Sequence, residues 1–267
     1  YDSMAAVTIK DMDEIKKEYG RKRRTAVENA EEAVYEEKKM EEMEVCFLMD
    51  RFGYMKLIDK NAYERNKEAV HNENKYVFNC MNTDKICIFT DTGKMHTIKA
   101  VDIPLGRFRD KGTPVDNLSN YDSSQERMLY VAPVGQLRSD RLLFVTKTSM
   151  CKLVEGAEFD VAKRTIASTK LADEDELIFI GSASEMEQIV LQSHGGCFLR
   201  FLTQEVSTMK KTALGVRGMK LADDDYLEHA YLLAGHQEYT ISYHDKEYAL
   251  NKVRLAKRDT KGIKPRI

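Results

Sequence analysis

The chain has 267 residues, of which 42% are hydrophobic and 32% are charged, and its formal net charge is −2. This composition supplies enough apolar side chains for a globular protein, and no apolar run approaches the ~20 residues that a membrane-spanning helix needs. The N-terminal residues show no signal-peptide pattern, so we expect a cytoplasmic protein without a membrane partner.

The five cysteines do not form a metal-binding or disulfide pattern. Their number is odd, they are scattered, and none of them belongs to a CxxC pair. Four of them lie in strand-like runs, where cysteine usually behaves as a small buried hydrophobe. We therefore expect neither a zinc site nor a disulfide framework. The cysteines are Cys46, Cys80, Cys87, Cys151 and Cys197.

The first 45 residues differ in composition from the rest of the chain. They are rich in Glu, Lys, Ala and Met, which favour helix, and they are interrupted by Gly20 and the basic run 21–24. They hold 9 basic and 13 acidic residues, whereas the remainder holds 33 and 31. We interpret 28–44 as an exposed helix or a linker. The predicted organisation is a helical junction or linker at 1–45, followed by one domain at 46–267.

From residue 45 onward the periodicity predicts many short strands. Runs of apolar and β-branched residues are each ended by a turn signal, and no long amphipathic helix pattern interrupts them. Examples of such runs are 45–48, 86–89, 142–145, 189–191 and 239–241. This part of the chain is therefore predicted to be all-β.

Two landmarks recur along the predicted strands. The first is a turn with glycine or an equivalent residue, which can supply the positive φ of a tight hairpin. These turns lie at 53, 93, 149, 195 and 245, with spacings of 40, 56, 46 and 50 residues. The second landmark is a leucine four positions before an aspartate, as in Leu118/Asp122, Leu171/Asp175 and Leu221/Asp225. Periods of this length predict a propeller-like array of about five four-stranded blades, of which the first and last are least regular.

No group of residues has the pattern of an active site. The acidic clusters 173–176 and 223–225 recur at the same point of two repeats, so we interpret them as turns. The six histidines show no HExxH or paired spacing, and GxSxG, P-loop and GxGxxG motifs are absent from the sequence. We predict no catalytic residue, no metal ligand and no cofactor.

Basic residues recur between the second strand of a repeat and its leucine landmark. They form four stretches that we call basic segments 1 to 4: 106–112, 163–166, 210–218 and 257–262. Exposed loops tolerate Lys and Arg, so these segments are compatible with an ordinary soluble surface. Repetition around an array would instead align them along one rim, which suits a DNA backbone held by phosphate contacts. The residues alone leave both interpretations open.

Three of these segments resemble a known family. The stretch 112–118 reads GTPVDNL and resembles the RGTPxxNL segment of gyrase and topoisomerase IV A subunits. The stretch 214–221, LGVRGMKL, is similar to their GVRGxKL segment, and 164–171, RTIASTKL, is a third version of the same loop. Upstream, 13–25 resembles the EIKxKYGDERRT junction that follows the breakage-reunion core. The chain is thereby identified as a member of the C-terminal domains of bacterial type IIA topoisomerase A subunits.

This resemblance implies a β-pinwheel, a propeller-like fold whose blades exchange strands with their neighbours. It also implies that double-stranded DNA bends around the basic rim and that the domain presents a transported duplex to the A-subunit core. The cleaving tyrosine and metal site belong to that core, and ATP is hydrolysed by a separate B subunit. The domain is expected to act near the nucleoid, without turnover of its own, as part of an ATP-dependent topoisomerase.

The resemblance places DNA contacts on basic residues of the four segments and of the adjacent turns and strands. The predicted contact residues are Lys94, Arg107, Arg109, Lys111, Lys147, Lys152, Lys163, Arg164, Lys170, Arg200, Lys210, Lys211, Arg217, Lys220, Arg258 and Lys261.

One departure from the family pattern concerns the type of topoisomerase. Gyrases carry a QRRGGKG box in the first-blade region, which wraps DNA with the handedness required for negative supercoiling. The corresponding stretch here, 63–70, reads YERNKEAV. This favours a topoisomerase IV-like domain that bends DNA and guides the choice of substrate. A gyrase domain with a degenerate box is one alternative, and a propeller-like protein-interaction scaffold is another.

Overall fold

The computed structural model describes residues 2–22, 24–25, 41–235 and 237–265. They belong to two units, Tyr1–Glu41 and Glu42–Ile267. In the first unit, helix α1 occupies Asp2–Tyr19 and is exposed along its described side chains. Most of the stretch interpreted as a second helix or linker, 28–44, lies outside the described residues.

The second unit consists mainly of short antiparallel strands, as the all-β prediction requires. The strands are β1 (Glu44–Asp50), β2 (Tyr54–Asp59), β3 (Asn74–Met81), β4 (Lys85–Thr90), β5 (Lys94–Lys99), β6 (Thr113–Pro114), β7 (Met128–Pro133), β8 (Arg141–Thr146), β9 (Met150–Glu155), β10 (Thr165–Ala167), β11 (Leu177–Ser182), β12 (Gln188–Ser193), β13 (Phe198–Leu202), β14 (Val216–Arg217), β15 (Leu227–Leu233), β16 (Thr240–Tyr243) and β17 (Lys246–Ala249). The helices are short: α2 (Lys60–Arg65), α3 (Lys67–Glu73), α4 (Val115–Leu118) and α5 (Val134–Leu137). Single 3₁₀ turns occupy Ala100–Asp102, Gly156–Phe159, Thr203–Glu205 and Leu250–Lys252.

The described strands form five sheets, which we call blades 1 to 5. Their strand orders are β3-β1-β2-β6, β10-β5-β4-β7, β11-β8-β9-β14, β13-β12-β15 and β16-β17. The predicted propeller-like class with about five blades is confirmed. Four strands per blade is correct for blades 1 to 3, whereas blade 4 has three strands and blade 5 has two.

Strands are exchanged between consecutive blades in a regular way. Each repeat begins with a hairpin, and the chain then sends a very short strand to the second hairpin strand of the preceding blade. In this way β6 pairs with β2, β10 with β5 and β14 with β9. The next strand returns to its own blade, as β7 does to β4 and β11 to β8. Each hairpin is therefore completed by chain from the following repeat, as the β-pinwheel resemblance implies.

The hairpin turns explain the glycine landmark. A positive φ occurs at Gly53 (83°), Gly93 (75°), Ser149 (72°), Gly196 (80°) and Asp245 (60°). Four of the five predicted turn positions are correct, and the fourth turn uses Gly196 in place of Gly195. This is because the Gly196 amide, and not that of Gly195, donates to the carbonyl of the residue three positions earlier.

The core lies between consecutive blades, because alternate residues of each central strand point to opposite faces. Ile88 of β4 packs in the core shared with blade 1, whereas the adjacent Phe89 packs in the core shared with blade 3. There the Phe89 ring meets the Phe144 ring edge to face, with centroids 6.2 Å apart. Both faces are buried, which accounts for the continuous apolar runs in the sequence.

The outer face of blade 1 is covered by its own helices. Leu48 of β1 and Ile58 of β2 pack with Val70 of α3, and all three side chains are buried. The stretch 63–70 therefore belongs to a helical cap on the first sheet, and α2 begins with Asp59 as its N-cap.

The cysteine side chains are mostly part of the core. Four of the five are buried, and Cys197 is half-buried. Burial raises the pKa of the thiols of Cys80, Cys87 and Cys151 to about 12, so these groups behave as small hydrophobes at neutral pH. Within the described part of the chain, no helix combines the length and the apolarity needed to cross a membrane.

Candidate nucleic-acid interface

The exchanged strands hold the basic segments against the preceding blades. Segment 1 leads directly into β6, segment 2 includes the start of β10, and segment 3 contains β14. After segment 4, Ile263 forms an antiparallel bridge with Phe198 of blade 4. The four basic segments therefore occupy corresponding places on blades 1 to 4.

Two lysines fix the conformation of segments 1 and 3 from beneath. The Lys56 ammonium donates hydrogen bonds to the carbonyls of Phe108 and Asp110, at 2.5 and 2.6 Å. The Lys152 ammonium donates to the carbonyls of Lys211 and Ala213, both at 2.7 Å. Both lysines stand three residues after the turn residue of their hairpin, so the contact recurs at the equivalent position of two repeats.

In blade 2 the same hairpin position holds His96. Its Nδ1 lies 3.0 Å from the hydroxyl of Thr165 in β10, and its Nε2 lies 3.0 Å from a carboxylate oxygen of Glu126. Burial would raise the pKa of Glu126, but hydrogen bonds from His96 and Lys94 outweigh it and hold the pKa below its usual value. A buried polar network thus anchors segment 2.

Glutamates from the 3₁₀ turns form a second repeated anchor. The Glu158 carboxylate accepts from the Lys211 amide, and its carbonyl accepts from the Lys211 ammonium. Glu205 makes the equivalent pair of contacts with the amide and the guanidinium of Arg258. Segments 3 and 4 are therefore each bound to a glutamate of a 3₁₀ turn through both a main-chain amide and a side-chain cation.

Hydrogen bonds also join consecutive repeats, at the basic segments or at the residues that follow them. The Asn120 amide group donates to the Thr165 hydroxyl at 3.1 Å. The Lys170 amide donates to the Lys211 carbonyl at 3.1 Å, which joins the end of the segment 2 loop to segment 3. Segments 3 and 4 are joined by the Asp259 amide, which donates to the Gly218 carbonyl at 2.7 Å. Segments 3 and 4 are thus joined directly, whereas segments 1 and 2 are linked to the next segment through Asn120 and Lys170, which follow them in the chain. We call this hydrogen-bonded series the connected strip.

The predicted contact residues differ in exposure. Eleven are exposed on the surface: Lys94, Arg107, Arg109, Lys111, Lys163, Arg164, Lys170, Lys210, Arg217, Lys220 and Lys261. Four are half-buried: Lys147, Arg200, Lys211 and Arg258. Arg200 donates to the Asn251 carbonyl at 2.8 Å, so it connects blades 4 and 5.

Lys152 must be removed from the predicted set. Its side chain is 1% exposed, and its ammonium is used by the two carbonyls of segment 3. Burial lowers the pKa of Lys152 to about 8, an effect that Glu158 partly opposes. A cation in this position supports the surface loop from inside and cannot reach a phosphate.

Several of the predicted contact cations already have a carboxylate partner. Lys94 lies 3.3 Å from Glu126 and Lys147 lies 3.0 Å from Glu176. Lys210 lies 3.5 Å from Glu158. Arg217 is paired with Asp259 through two hydrogen bonds. The number of basic residues in the predicted set therefore overstates the number of cations that are available to a polyanion.

The acidic clusters form turns, as predicted. Glu174 and Asp224 have a φ of 61°. Asp175 accepts hydrogen bonds from the amide and hydroxyl of Thr148, and Asp225 accepts from the Gly195 amide. These carboxylates therefore tie the leucine landmark to the hairpin turn. Among the described residues no cluster of His, Cys, Asp and Glu is arranged to hold a metal ion.

The anchoring residues Lys56, Glu158 and Asp259 were not among the predicted site residues. Lys56 could have been found, because it has the same offset from its turn as Lys152. Glu158 and Asp259 carry no local signal, since each contacts a segment more than 40 residues away.

The sequence model of the family described as "DNA gyrase C-terminal domain, beta-propeller" matches residues 84–123, 140–184 and 187–234. Each matched stretch begins just before the first strand of a hairpin. The first stretch ends just after its leucine landmark, and the other two end just after the returning strands β11 and β15. The family repeat therefore coincides with the structural repeat of blades 2 to 4.

Curated relatives and solved structures agree with this match. The chain is 28% identical to the DNA gyrase A protein of Clostridium acetobutylicum over 81% of this chain and 28% of the relative. It is 23% identical to the DNA gyrase A protein of Ureaplasma parvum over 98% of this chain and 33% of the relative. The chain thus spans about a third or less of these proteins.

Two solved structures share the fold. The C-terminal domain of DNA topoisomerase IV matches with a TM-score of 0.73 and 22% identity, covering 84% of this chain and 72% of that one. The DNA gyrase A C-terminal domain matches with a TM-score of 0.55 and 18% identity, covering 83% and 76%.

Proposed function

This chain belongs to the family of C-terminal β-propeller domains of type IIA topoisomerase A subunits, and from this we propose that it binds and bends double-stranded DNA. The domain would hold the duplex through its phosphates and contribute no catalytic group. The chemistry would be performed by the A-subunit core, with ATP hydrolysed by the B subunit.

The observation that supports DNA binding most directly is the connected strip of basic segments. The exchanged strands and the Phe198–Ile263 bridge place a basic segment at the same position of four successive blades. Hydrogen bonds at or just after these segments join consecutive repeats. A phosphate backbone presents evenly spaced charges without sequence information, so a repeated set of cations fits it better than it fits a single compact ligand.

Within the family, we propose the topoisomerase IV-like role of bending DNA and guiding the choice of substrate. The stretch 63–70 supports this assignment, because it forms part of the cap α2–α3 and carries two acidic and two basic residues. A gyrase-type domain with a degenerate box is the second candidate, favoured by the curated relatives, which are gyrase A proteins.

Binding is tested by titrating the whole 267-residue chain into linear duplex DNA at several salt concentrations. The expected plot of log affinity against log salt is linear, with a slope of about −0.9 for each phosphate neutralised. Duplexes of unrelated sequence should bind equally. Failure to bind at low salt would reject the proposal and leave the protein-interaction scaffold as the better interpretation.

The two topoisomerase types are separated by relaxing closed circular DNA in the presence of the domain. A topoisomerase IV-like domain should leave the linking number almost unchanged after the protein is removed. A gyrase-type domain should trap strong positive writhe, and that outcome would replace the first candidate by the second.

A further inference from the structure

The cations of basic segments 2 and 3 differ in their partners. In segment 3, Lys210 Nζ lies 3.5 Å from Glu158 Oε1, and Arg217 Nε lies 2.5 Å from Asp259 Oδ1. In segment 2, Lys163 and Arg164 are exposed, and within the described residues neither forms an ion pair with a carboxylate. In segment 3, which contains the family-like GVRG motif, two of the three cations are therefore already paired with a carboxylate, whereas in the described structure of segment 2 neither Lys163 nor Arg164 is.

The Arg217–Asp259 pair has the geometry of phosphate recognition. Two nitrogens of the guanidinium donate to the two oxygens of one carboxylate, at 2.5 and 3.1 Å. This two-point arrangement is the one by which arginine binds either carboxylate or phosphate. The hydrogen bonds from Arg217 hold the pKa of Asp259 below its usual range, so the carboxylate is charged at neutral pH.

Asp259 is held in this place by the main chain as well. Its amide donates to the Gly218 carbonyl at 2.7 Å, and its φ is 63°. Arg258, the preceding residue, donates to the Arg217 carbonyl. A phosphate that approached Arg217 would have to displace a carboxylate whose main chain is fixed beside it, and the displaced charge would repel the phosphate.

We propose that Asp259 and Glu158 act as internal substitutes for phosphate on segment 3, so that bound DNA is held mainly by the neighbouring segments. This proposal rests on the proposed DNA-binding function. Arg217 then has a positioning role, since it fastens the exchanged strand of blade 3 to segment 4. Along the connected strip, segment 3 therefore contributes less to the affinity for DNA than segments 2 and 4.

The first test releases Arg217 from its partner. Asp259→Asn in the whole chain should bind linear duplex about two- to fivefold more tightly than the wild type, the range expected from the strength of an exposed ion pair. The salt slope should steepen by about 0.9, since one more cation becomes available. Glu185→Gln is the matched control, because it removes one charge from an exposed glutamate that has no ion pair in the described structure.

The second test compares one arginine from each segment. Arg217→Gln should weaken binding less than twofold, whereas Arg164→Gln should weaken it clearly more and reduce the salt slope by about 0.9. Circular dichroism and thermal melting establish that each variant is folded. If Asp259→Asn loses its fold, the arginine comparison decides alone.

The failure of this inference differs from the failure of the proposed function. A wild-type chain that does not bind duplex DNA at low salt would overturn both. A wild type that binds, with Asp259→Asn no tighter than Glu185→Gln, would overturn the inference only. Equal losses of affinity in Arg217→Gln and Arg164→Gln would do the same.

Discussion

Lys56 and Lys152 make the same contact in two different repeats: each ammonium donates to two carbonyls of the basic segment that the following repeat places on its blade. Lys152 is buried, while Lys56 is half-buried. The exposed cations of segments 1 and 3 therefore lie on loops whose main-chain carbonyls are hydrogen-bonded to a lysine of the hairpin below.

Replacing Lys152 by methionine should destabilise the domain. Methionine fills a similar volume but leaves the carbonyls of Lys211 and Ala213 without their donor, at a cost of about 1–3 kcal/mol in the free energy of unfolding. Urea unfolding measures this difference. The exposed Lys170→Met is the control and should change stability by less than about 0.5 kcal/mol. Equal stability of the two variants would contradict the supporting role of Lys152.

The effect of Lys152→Met should grow at alkaline pH. Burial lowers the pKa of Lys152 from 10.5 to about 8, so between these values the unfolded chain binds a proton that the folded chain has released. Stability contributed by this group therefore rises with pH over that range. The difference between wild type and variant should increase by up to about 3 kcal/mol from pH 8 to 10.5. A difference that stays constant with pH would show that the pKa is not lowered.

Glu126 should make the domain sensitive to acid. Burial alone would raise the pKa of Glu126, but hydrogen bonds from His96 and Lys94 lower that pKa below 4.5. The Glu126 carboxylate therefore stabilises the folded state above pH 4.5, and this stabilisation is lost as the pH falls through the folded pKa. Glu126→Gln should cost about 1–2 kcal/mol at pH 7. The gap to the wild type should close below pH 4.5, as followed by urea unfolding at several pH values. Glu185→Gln should show no comparable change.

Gly93→Ala should be more costly than Gly53→Ala. Both turns have a positive φ, which costs an alanine about 1 kcal/mol. At Gly93 a β-carbon would also lie 3.1 Å from Leu171 and 3.2 Å from the stiff Thr169 side chain. At Gly53 the single tight contact is with the flexible end of Met128. The melting temperature of Gly93→Ala should therefore be lower than that of Gly53→Ala. Equal or reversed melting temperatures would show that contacts of the added β-carbon do not set the cost.

Asp175→Ala should destabilise blade 3 without any dependence on metal ions. The substitution removes hydrogen bonds to the amide and hydroxyl of Thr148, at a cost of about 1 kcal/mol. A chelator should leave the melting temperature of the wild type unchanged, and magnesium should not rescue the variant. A melting temperature that falls on chelation would show that the acidic cluster holds a metal ion.

Much of the fold was predictable because its signals are local. Apolar runs of four to six residues and turn residues at a period of 40 to 56 predict hairpins in series, and the observed hairpins lie where these signals occur. The misplaced turn at Gly195 is a local ambiguity, since either of two adjacent glycines can adopt a positive φ. The reduced size of blades 4 and 5 could not be read from the sequence, because partner strands are not contiguous with the hairpins they complete.

The sequence by itself determined the all-β class, the repeat and the positions of the four basic segments, because strand periodicity, turn chemistry and loop charge each depend on neighbouring residues. Only the tertiary structure decided which cations are free. Lys152 lies in a strand beneath a segment about 60 residues away, and Arg217 meets Asp259 across 42 residues. Strand exchange between repeats creates both contacts, and the burial or pairing of a charge depends on such distant partners.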